Sequence, residues 1–161
     1  MHLLLMRHGE AASPGADGSD DARPLTPLGR RQARQAGEVA ARLGLRPTRA
    51  FTSPLTRTRE TVVEFLAAFS APPGIEPLQS LAPGGDPEAA LDEIDGAEAA
   101  AVLLLVGHNP GIGQMAGLLG MPLNFTPATL AVFSLARRGG NCPLELFLRP
   151  DRADRLLRGN K

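Results

Sequence analysis

Two kinds of apolar pattern alternate along the chain. Short continuous apolar runs, bounded by Gly, Pro and charged residues, take turns with longer stretches in which apolar residues recur every three or four positions. A short continuous run predicts a strand buried on both faces, and the three-to-four spacing predicts a helix with one buried face. Residues 2–6 predict the first strand, and a polar loop rich in Gly and Asp follows through Arg23. "LTPLGRRQARQAGEVAARLGL" then predicts a helix with a stripe of Ala36, Val39, Ala40 and Leu43. Thr26 is its expected N-cap, Pro27 suits the first helical position because its missing N–H would be unpaired there, and Gly44 is the expected stop.

The alternation continues. "RAFTS" (49–53) predicts a strand, and Ser53-Pro54 is expected to start a second helix whose apolar face runs through Leu55, Val62, Phe65, Leu66 and Phe69. A Pro- and Gly-rich stretch from Ala71 to Pro87 holds one short strand near Ile75, and Asp86-Pro87 caps and starts a helix to Ile94. "AAVLLLV" (100–106) is a fully buried strand, and Asn109-Pro110 begins a helix to Leu119. "TLAVFSL" and "PLELFL" predict two strands around a Gly-Gly-Asn turn. Alternating strands and helices imply a three-layer α/β/α sandwich, a mostly parallel central sheet with helices on both faces. In such folds ligands bind outside the carboxyl ends of the strands, so chemistry is to be sought immediately after the apolar runs.

Composition narrows the function classes. At 161 residues the chain suits one domain with a substantial core, expected over residues 1–149, with a basic tail at 150–161. The tail places Arg149, Arg152, Arg155 and Arg158 three apart and reads as a solvated, partly frayed terminus. Seventeen basic residues balance seventeen acidic ones, so no global field selects nucleic acid or membrane as partner. The absence of Trp and Tyr argues against base-stacking platforms. Cys142 is the only cysteine, which excludes an internal disulfide and a cysteine-rich metal site and fits a cytoplasmic protein. Residues 2–6 are too short for a signal-peptide core, and no apolar run reaches the length needed to span a bilayer.

"LLLMRHGE" (3–10) and "LLLVGHNPG" (103–111) share a layout: an apolar strand, one residue, a histidine, then a loop. His8 and His108 are thereby expected at the same edge of the sheet, while His2, at the amino end of its strand, reads as structural. Arg7 adjoins His8, and Arg57 falls in the first turn of the second helix, where a cation faces the positive end of the helix dipole. A bound anion would offset both charges. Arginine forks suit phosphate oxygens, and free N–H groups at helix starts add to them. Two histidines and two arginines point to phosphoryl chemistry without metal, since adjacent guanidiniums repel a dication. One neutral imidazole can attack phosphorus, and the other, with both arginines, can stabilise charge on the equatorial oxygens.

Taken together, "RHGE" (7–10), "RPLTPLGRRQA" (23–33), "SPLTRTRET" (53–61) and "GHNPG" (107–111) resemble the histidine phosphatase superfamily, which includes the phosphoglycerate mutases. The resemblance implies the phosphoglycerate mutase-like fold. It implies His8 as the nucleophile that becomes phosphorylated, and Arg7, Arg57 and His108 as the rest of the phosphate pocket. Arg23 matches a position near phosphate or substrate. The compact chain, the "RPLT" segment and "LAPGGD" (81–86) are most similar to the SixA-type protein phosphohistidine phosphatases. Unlike the mutases and sugar-phosphate phosphatases, this chain has Ala11 and Ala12 after Glu10, and 71–87 is too short for a substantial lid.

The expected activity is thus metal- and cofactor-free hydrolysis of phosphohistidine, on a histidine-containing phosphotransfer domain, by a monomer. A phosphatase for small phosphate monoesters and a non-catalytic phosphate-binding module stand as alternatives. A monoester's alkoxide leaving group needs a proton. Glu10, Asp86 and Glu88 are the candidate donors, though Asp86 also suits a helix cap, Glu88 suits a first helical turn, and Glu10 can simply bond the loop. Cys142, beside a turn, is expected to be inert.

Overall fold

In the computed structural model, which describes residues 1–14, 20–96, 98, 101–135 and 142–159, the apolar runs come together as one sheet. The described elements are β1 (His2–Arg7), α1 (Pro27–Arg42), β2 (Arg49–Thr52), α2 (Thr56–Leu66), β3 (Ile75–Pro77), α3 (Pro87–Glu93), β4 (Val102–Gly107), α4 (Gly111–Leu118), β5 (Leu130–Ser134), β6 (Leu144–Leu148) and α5 (Pro150–Arg158). A 3₁₀ turn covers Gln79–Leu81. The strand order is β3-β2-β4-β1-β5-β6. β3, β2, β4 and β1 pair in parallel, and β5 is antiparallel to both β1 and β6, so the sheet is mostly parallel as expected.

The strands in the middle of the sheet are buried on both faces, and alternate residues serve two separate cores. Leu4, Met6, Leu104, Val106, Leu130 and Val132 pack with Ala33, Ala36, Val39 and Ala40 of α1 and Val62, Phe65 and Leu66 of α2. Leu3, Leu5, Leu103, Leu105, Ala131 and Phe133 pack on the other side with Ala90 of α3, Ile112, Met115 and Ala116 of α4, and Phe125. The side-chain period of two therefore splits each continuous apolar run between the layers, giving the α/β/α sandwich.

The cap logic holds at two helices and fails at two. Thr26 Oγ1 accepts from the Gly29 N–H at 3.0 Å with Pro27 first in α1, and Asp86 accepts from the N–H groups of Glu88 and Ala89 at the start of α3. Past Arg42, Gly44 takes a φ of 76°, and the N–H groups of Gly44 and Leu45 reach back to the carbonyls of Ala41 and Ala40. That reversal is why Leu43 is 57% exposed instead of joining the buried stripe. α2 starts at Thr56, not at Ser53-Pro54, and α4 starts at Gly111, not at Asn109-Pro110. The Asn109 amide is engaged with the carbonyl of Phe125, and the Ser53 hydroxyl lies 2.9 Å from His108 Nε2, with only a 3.4 Å bond from the Leu55 N–H on its cap side.

The C-terminal segment also departs from expectation. Residues 150–158 form α5, which packs on α1 with Ala153 buried and Leu157 against the core, and the Gln35 amide donates to Asp154 at 2.9 Å. Arg155 and Arg158 pair with Asp151 and Asp154 one turn earlier, so the arginines support a docked helix and not a frayed end. The Gly-Gly-Asn turn, the first residue of the expected strand at Ala100, and residues 15–19 of the polar loop lie outside the described residues. Among the described residues no helix is long and apolar enough to cross a membrane.

α1 and α2 meet backbone to backbone. A Cβ placed on Gly37 would lie 2.1 Å from the Phe65 carbonyl oxygen, and neither helix backbone can yield without opening the core. Ion pairs from Arg30 to Glu60 (2.6 Å) and from Arg34 to Glu64 (2.6 Å) fix the helices at their outer rim. Gly37→Ala is expected to destabilise the fold by about 2 kcal/mol or more, the upper range for overpacking. Chemical denaturation measures this, and an unchanged midpoint would contradict the close helix contact.

Candidate active site

Strand register assembles the site. β1 and β4 run in step, with Met6 opposite Val106 and Arg7 opposite Gly107, and β2 continues the row with Thr52 opposite Val106. The residues that leave these three adjacent strands are His8, His108 and Ser53. Neighbouring strands lie about 4.8 Å apart, and the imidazole centroids of His8 and His108 are 5.1 Å apart, tilted by 56°. His108 Nε2 lies 2.9 Å from Ser53 Oγ on the other side. Backbone bonds pin the edge: the His8 N–H donates to Gly107 O and the Ser53 N–H to Val106 O.

The loop after β1 is clamped from several directions. The Gly9 N–H donates to Thr61 Oγ1 of α2 at 3.0 Å. Gly9 itself approaches the start of α1 so closely that an added Cβ would lie 2.7 Å from the Gly29 carbonyl oxygen. The His8 carbonyl accepts from the N–H of Ala128, a residue with a φ of 59°. A left-handed non-glycine conformation costs on the order of 1 kcal/mol, a strain the clamp must offset.

Hydrogen bonding fixes the protonation of His8. Its Nδ1 lies 2.7 Å from the Gly9 carbonyl, which can only accept, so Nδ1 carries the proton and Nε2 keeps its lone pair. Burial, opposed by that Gly9 bond and helped by the charges of Arg57, Arg7 and Arg23, pushes the imidazole down to about 4. Burial, with the charges of His8 and Arg57 next, pushes His108 down to about 3. Both rings are therefore neutral near pH 7; the charges of Arg7 and Arg57 act on both, and that of Arg23 on His8.

Each arginine is anchored by hydrogen bonds to the protein. Arg7 Nη1 donates to Phe125 O at 2.8 Å, the carbonyl that also accepts from Asn109. Arg57, 4% exposed, donates from Nη1 to Asp20 O (2.7 Å) and from Nη2 to Asp20 Oδ2 (2.8 Å). Arg23 donates from Nη1 to Asp20 Oδ1 (2.6 Å) and from Nε to Ala12 O (2.6 Å). The Arg23 hydrogen bond, then the charge of Arg57, holds the Asp20 carboxyl below its usual range. Arg7 Nε, Arg57 Nε and His108 Nδ1 are buried and make no hydrogen bond with the protein. Unpaired buried polar atoms are costly; with the two rings 5.1 Å apart and the charges of Arg7 and Arg57 acting on both, these groups fit a site for an oxyanion.

Two comparisons place this arrangement. The model of the histidine phosphatase superfamily (branch 1) matches residues 3–79. The phosphohistidine phosphatase SixA of Escherichia coli is 30% identical over 145 residues, covering 86% of this chain and 88% of its own. The chain belongs to the histidine phosphatase superfamily. An uncharacterized protein of Picosynechococcus sp. is 37% identical over 157 residues, covering 92% of this chain and 94% of its own. A solved structure of the protein histidine phosphatase SixA complexed with tungstate superposes with a TM-score of 0.83 at 29% identity, covering 94% of this chain and 98% of that one. Sequence and structure together put this histidine phosphatase in the SixA-type branch.

Within this histidine phosphatase, the other candidates fall away from the two rings. Glu10 is exposed and accepts from Thr26 Oγ1 at 2.9 Å, tying the loop to the α1 cap. Asp86 caps α3, and Asp86 and Glu88 line a groove with Gln114, Gly117 and Leu118 that includes neither histidine. His2 pairs with Glu145 at 3.1 Å, at the opposite end of β1. Cys142 is partly buried. Three residues outside the expected site groups prove central to the geometry: Asp20, Thr61 and Ser53. A carboxylate three residues before Arg23 is the one signal for Asp20, while Ser53 and Thr61 open and close the "SPLTRTRET" stretch that also carries Arg57.

The depressed imidazoles set a pH dependence. A histidine whose folded value lies below its ordinary 6.5 contributes stability that is complete above 6.5 and is lost as pH falls through the folded value. Stability is thus expected to decline from about pH 6.5 downward. In NMR titration His8 and His108 are expected to stay neutral at pH 6; midpoints at the ordinary histidine value would overturn the assignment.

Proposed function

We propose that this SixA-type phosphatase hydrolyses phosphohistidine on a protein, most simply a histidine-containing phosphotransfer domain of a signalling phosphorelay in the cytoplasm. The observation that carries the reading is the set of unpartnered buried atoms on Arg7, Arg57 and His108 around a histidine whose Nε2 is unprotonated. That is an anion pocket with a nucleophile in it.

The reaction runs in two displacements. His8 Nε2 attacks phosphorus as the P–N bond to the substrate imidazole breaks, and the electron pair of that bond leaves with the substrate nitrogen. When the other nitrogen of the substrate ring carries a proton, it departs as a neutral imidazole and needs no acid from the enzyme. His8 becomes cationic on attack, and the Nδ1–H bond to Gly9 O strengthens accordingly. Arg7, Arg57 and His108 hold the equatorial oxygens, with Arg23 at the margin beside Asp20. Water then attacks the phosphorus of phospho-His8 as the P–Nε2 bond breaks and its electron pair returns to Nε2; the water proton passes to solvent and inorganic phosphate leaves.

The carboxylates favour this substrate over a monoester. An alkoxide leaving group needs a proton donor, yet Glu10 is held by Thr26 and Asp86 by the start of α3. Glu88 faces the groove that excludes both rings. The similarity to a phosphohistidine phosphatase supports the same choice.

His8→Ala is expected to abolish hydrolysis while vanadate still binds, and rapid quenching of the wild type should trap an acid-labile phosphate on His8. Full activity in the variant would remove His8 as nucleophile. Turnover of sugar or nucleotide monoesters, with none of a phosphohistidine protein, would favour the monoester reading. Chelators should leave the rate unchanged, and strong inhibition by EDTA would count against metal-free chemistry.

A further inference from the structure

The Ser53 hydroxyl has two neighbours. Its Oγ lies 2.9 Å from His108 Nε2, and the Leu55 N–H points to it at 3.4 Å. The residue is 0% exposed, so water supplies nothing further. Its backbone is committed as well: the N–H donates to Val106 O, and the carbonyl accepts from the hydroxyls of Thr52 and Thr58. Oγ therefore sits in a fixed place between one donor, Leu55 N–H, and one imidazole nitrogen.

One assignment leaves fewer groups unpaired than the other. If His108 Nε2 donated to Ser53, the serine proton would have no acceptor among the described residues, and His108 Nδ1 would be a bare lone pair. An anion drawn by Arg7 and Arg57, whose charges act on His108, would then meet a lone pair in place of a donor. If Ser53 donates to Nε2, its oxygen accepts from Leu55 and the proton of His108 resides on Nδ1. The three unpartnered atoms are then all donors.

We infer that Ser53 is a positioning residue that fixes His108 as the Nδ1–H tautomer, so that His108 donates a hydrogen bond to the phosphoryl group while remaining neutral. The two histidines are thereby set in complementary states. Gly9 O holds the proton of His8 on Nδ1 and bares Nε2 for attack, and Ser53 occupies Nε2 of His108 and turns Nδ1–H into a donor. Neutral rings on both sides agree with the values of about 4 and about 3. The catalytic consequence rests on the phosphatase reading above, whereas the tautomer does not.

Long-range ¹H–¹⁵N spectra of the free wild-type protein at pH 7 test the tautomer without any variant. The expected pattern is a protonated Nδ1 and an unprotonated Nε2 for His108, and the reverse would overturn the inference. In Ser53→Ala the His108 pattern should shift toward Nε2 protonation, and kcat should fall about tenfold or more, as when other histidine-orienting partners are removed, with KM changing far less. An unchanged tautomer with unchanged kcat would overturn it equally. If the variant fails to fold, the wild-type spectrum alone decides. Failure to trap phosphate on His8 would instead sink the phosphatase reading and leave the tautomer assignment standing.

Discussion

The parallel pairing of β1 with β4, kept in step from His2 opposite Val102 to Arg7 opposite Gly107, is the constraint on which the site depends. Parallel strands end at one edge, so two chain segments a hundred residues apart in sequence deliver their histidines side by side. β2 extends the same edge and adds Ser53. The alternation of side chains does the rest, because Leu3 and Leu5 in one core and Leu4 and Met6 in the other leave the strand no freedom to slip by one residue. A one-residue slip would exchange the two cores and separate the two imidazoles.

Charge poses the second problem. Burial first, and then the charges of Arg57 and Arg7, keep both imidazoles unprotonated near neutral pH, with Arg23 acting on His8 as well. Neutrality is what a nitrogen nucleophile requires, and the arginines that would bind phosphate add to the burial that keeps the attacking lone pair available. Asp20 moderates the arrangement. Its carboxylate spans Arg57 and Arg23, balancing part of the positive charge while leaving Arg57 Nε open. An arriving phosphate dianion would reverse the field felt by both rings, favouring the cationic His8 that forms on phosphorylation.

Backbone proximity holds the frame rigid. Gly9 against Gly29 and Gly37 against Phe65 bring β1, α1 and α2 closer than any side chain permits. Thr61, which bonds the Gly9 N–H and the Arg57 carbonyl, links the nucleophile's loop directly to the helix that carries Arg57. A displacement of α2 would therefore reach the loop of His8 and the arginine together. α5 closes the outer side of α1 through Ala153 and the Gln35–Asp154 bond.

Much of this was legible in the sequence, for a physical reason. Strand and helix follow from local periodicity, and the α/β/α class follows from their alternation, because each apolar face must find a partner. The motifs around Arg7, His8, Arg57 and His108 could be located because each sits at the end of such an element. What local pattern could not give was the allocation of polar side chains that have more than one use. Ser53 and Asn109 carry the sequence signature of helix caps, yet each bonds a group brought near by a different strand or loop. Thr61, Asp20 and the docked α5 belong to the same class, since Gly9, Arg57 and α1, which they meet, lie far away in sequence. The chain by itself determined the elements and the chemistry available at their ends; only the tertiary structure decided which donor meets which acceptor, because hydrogen bonds are settled by distances that exist only after the layers have packed.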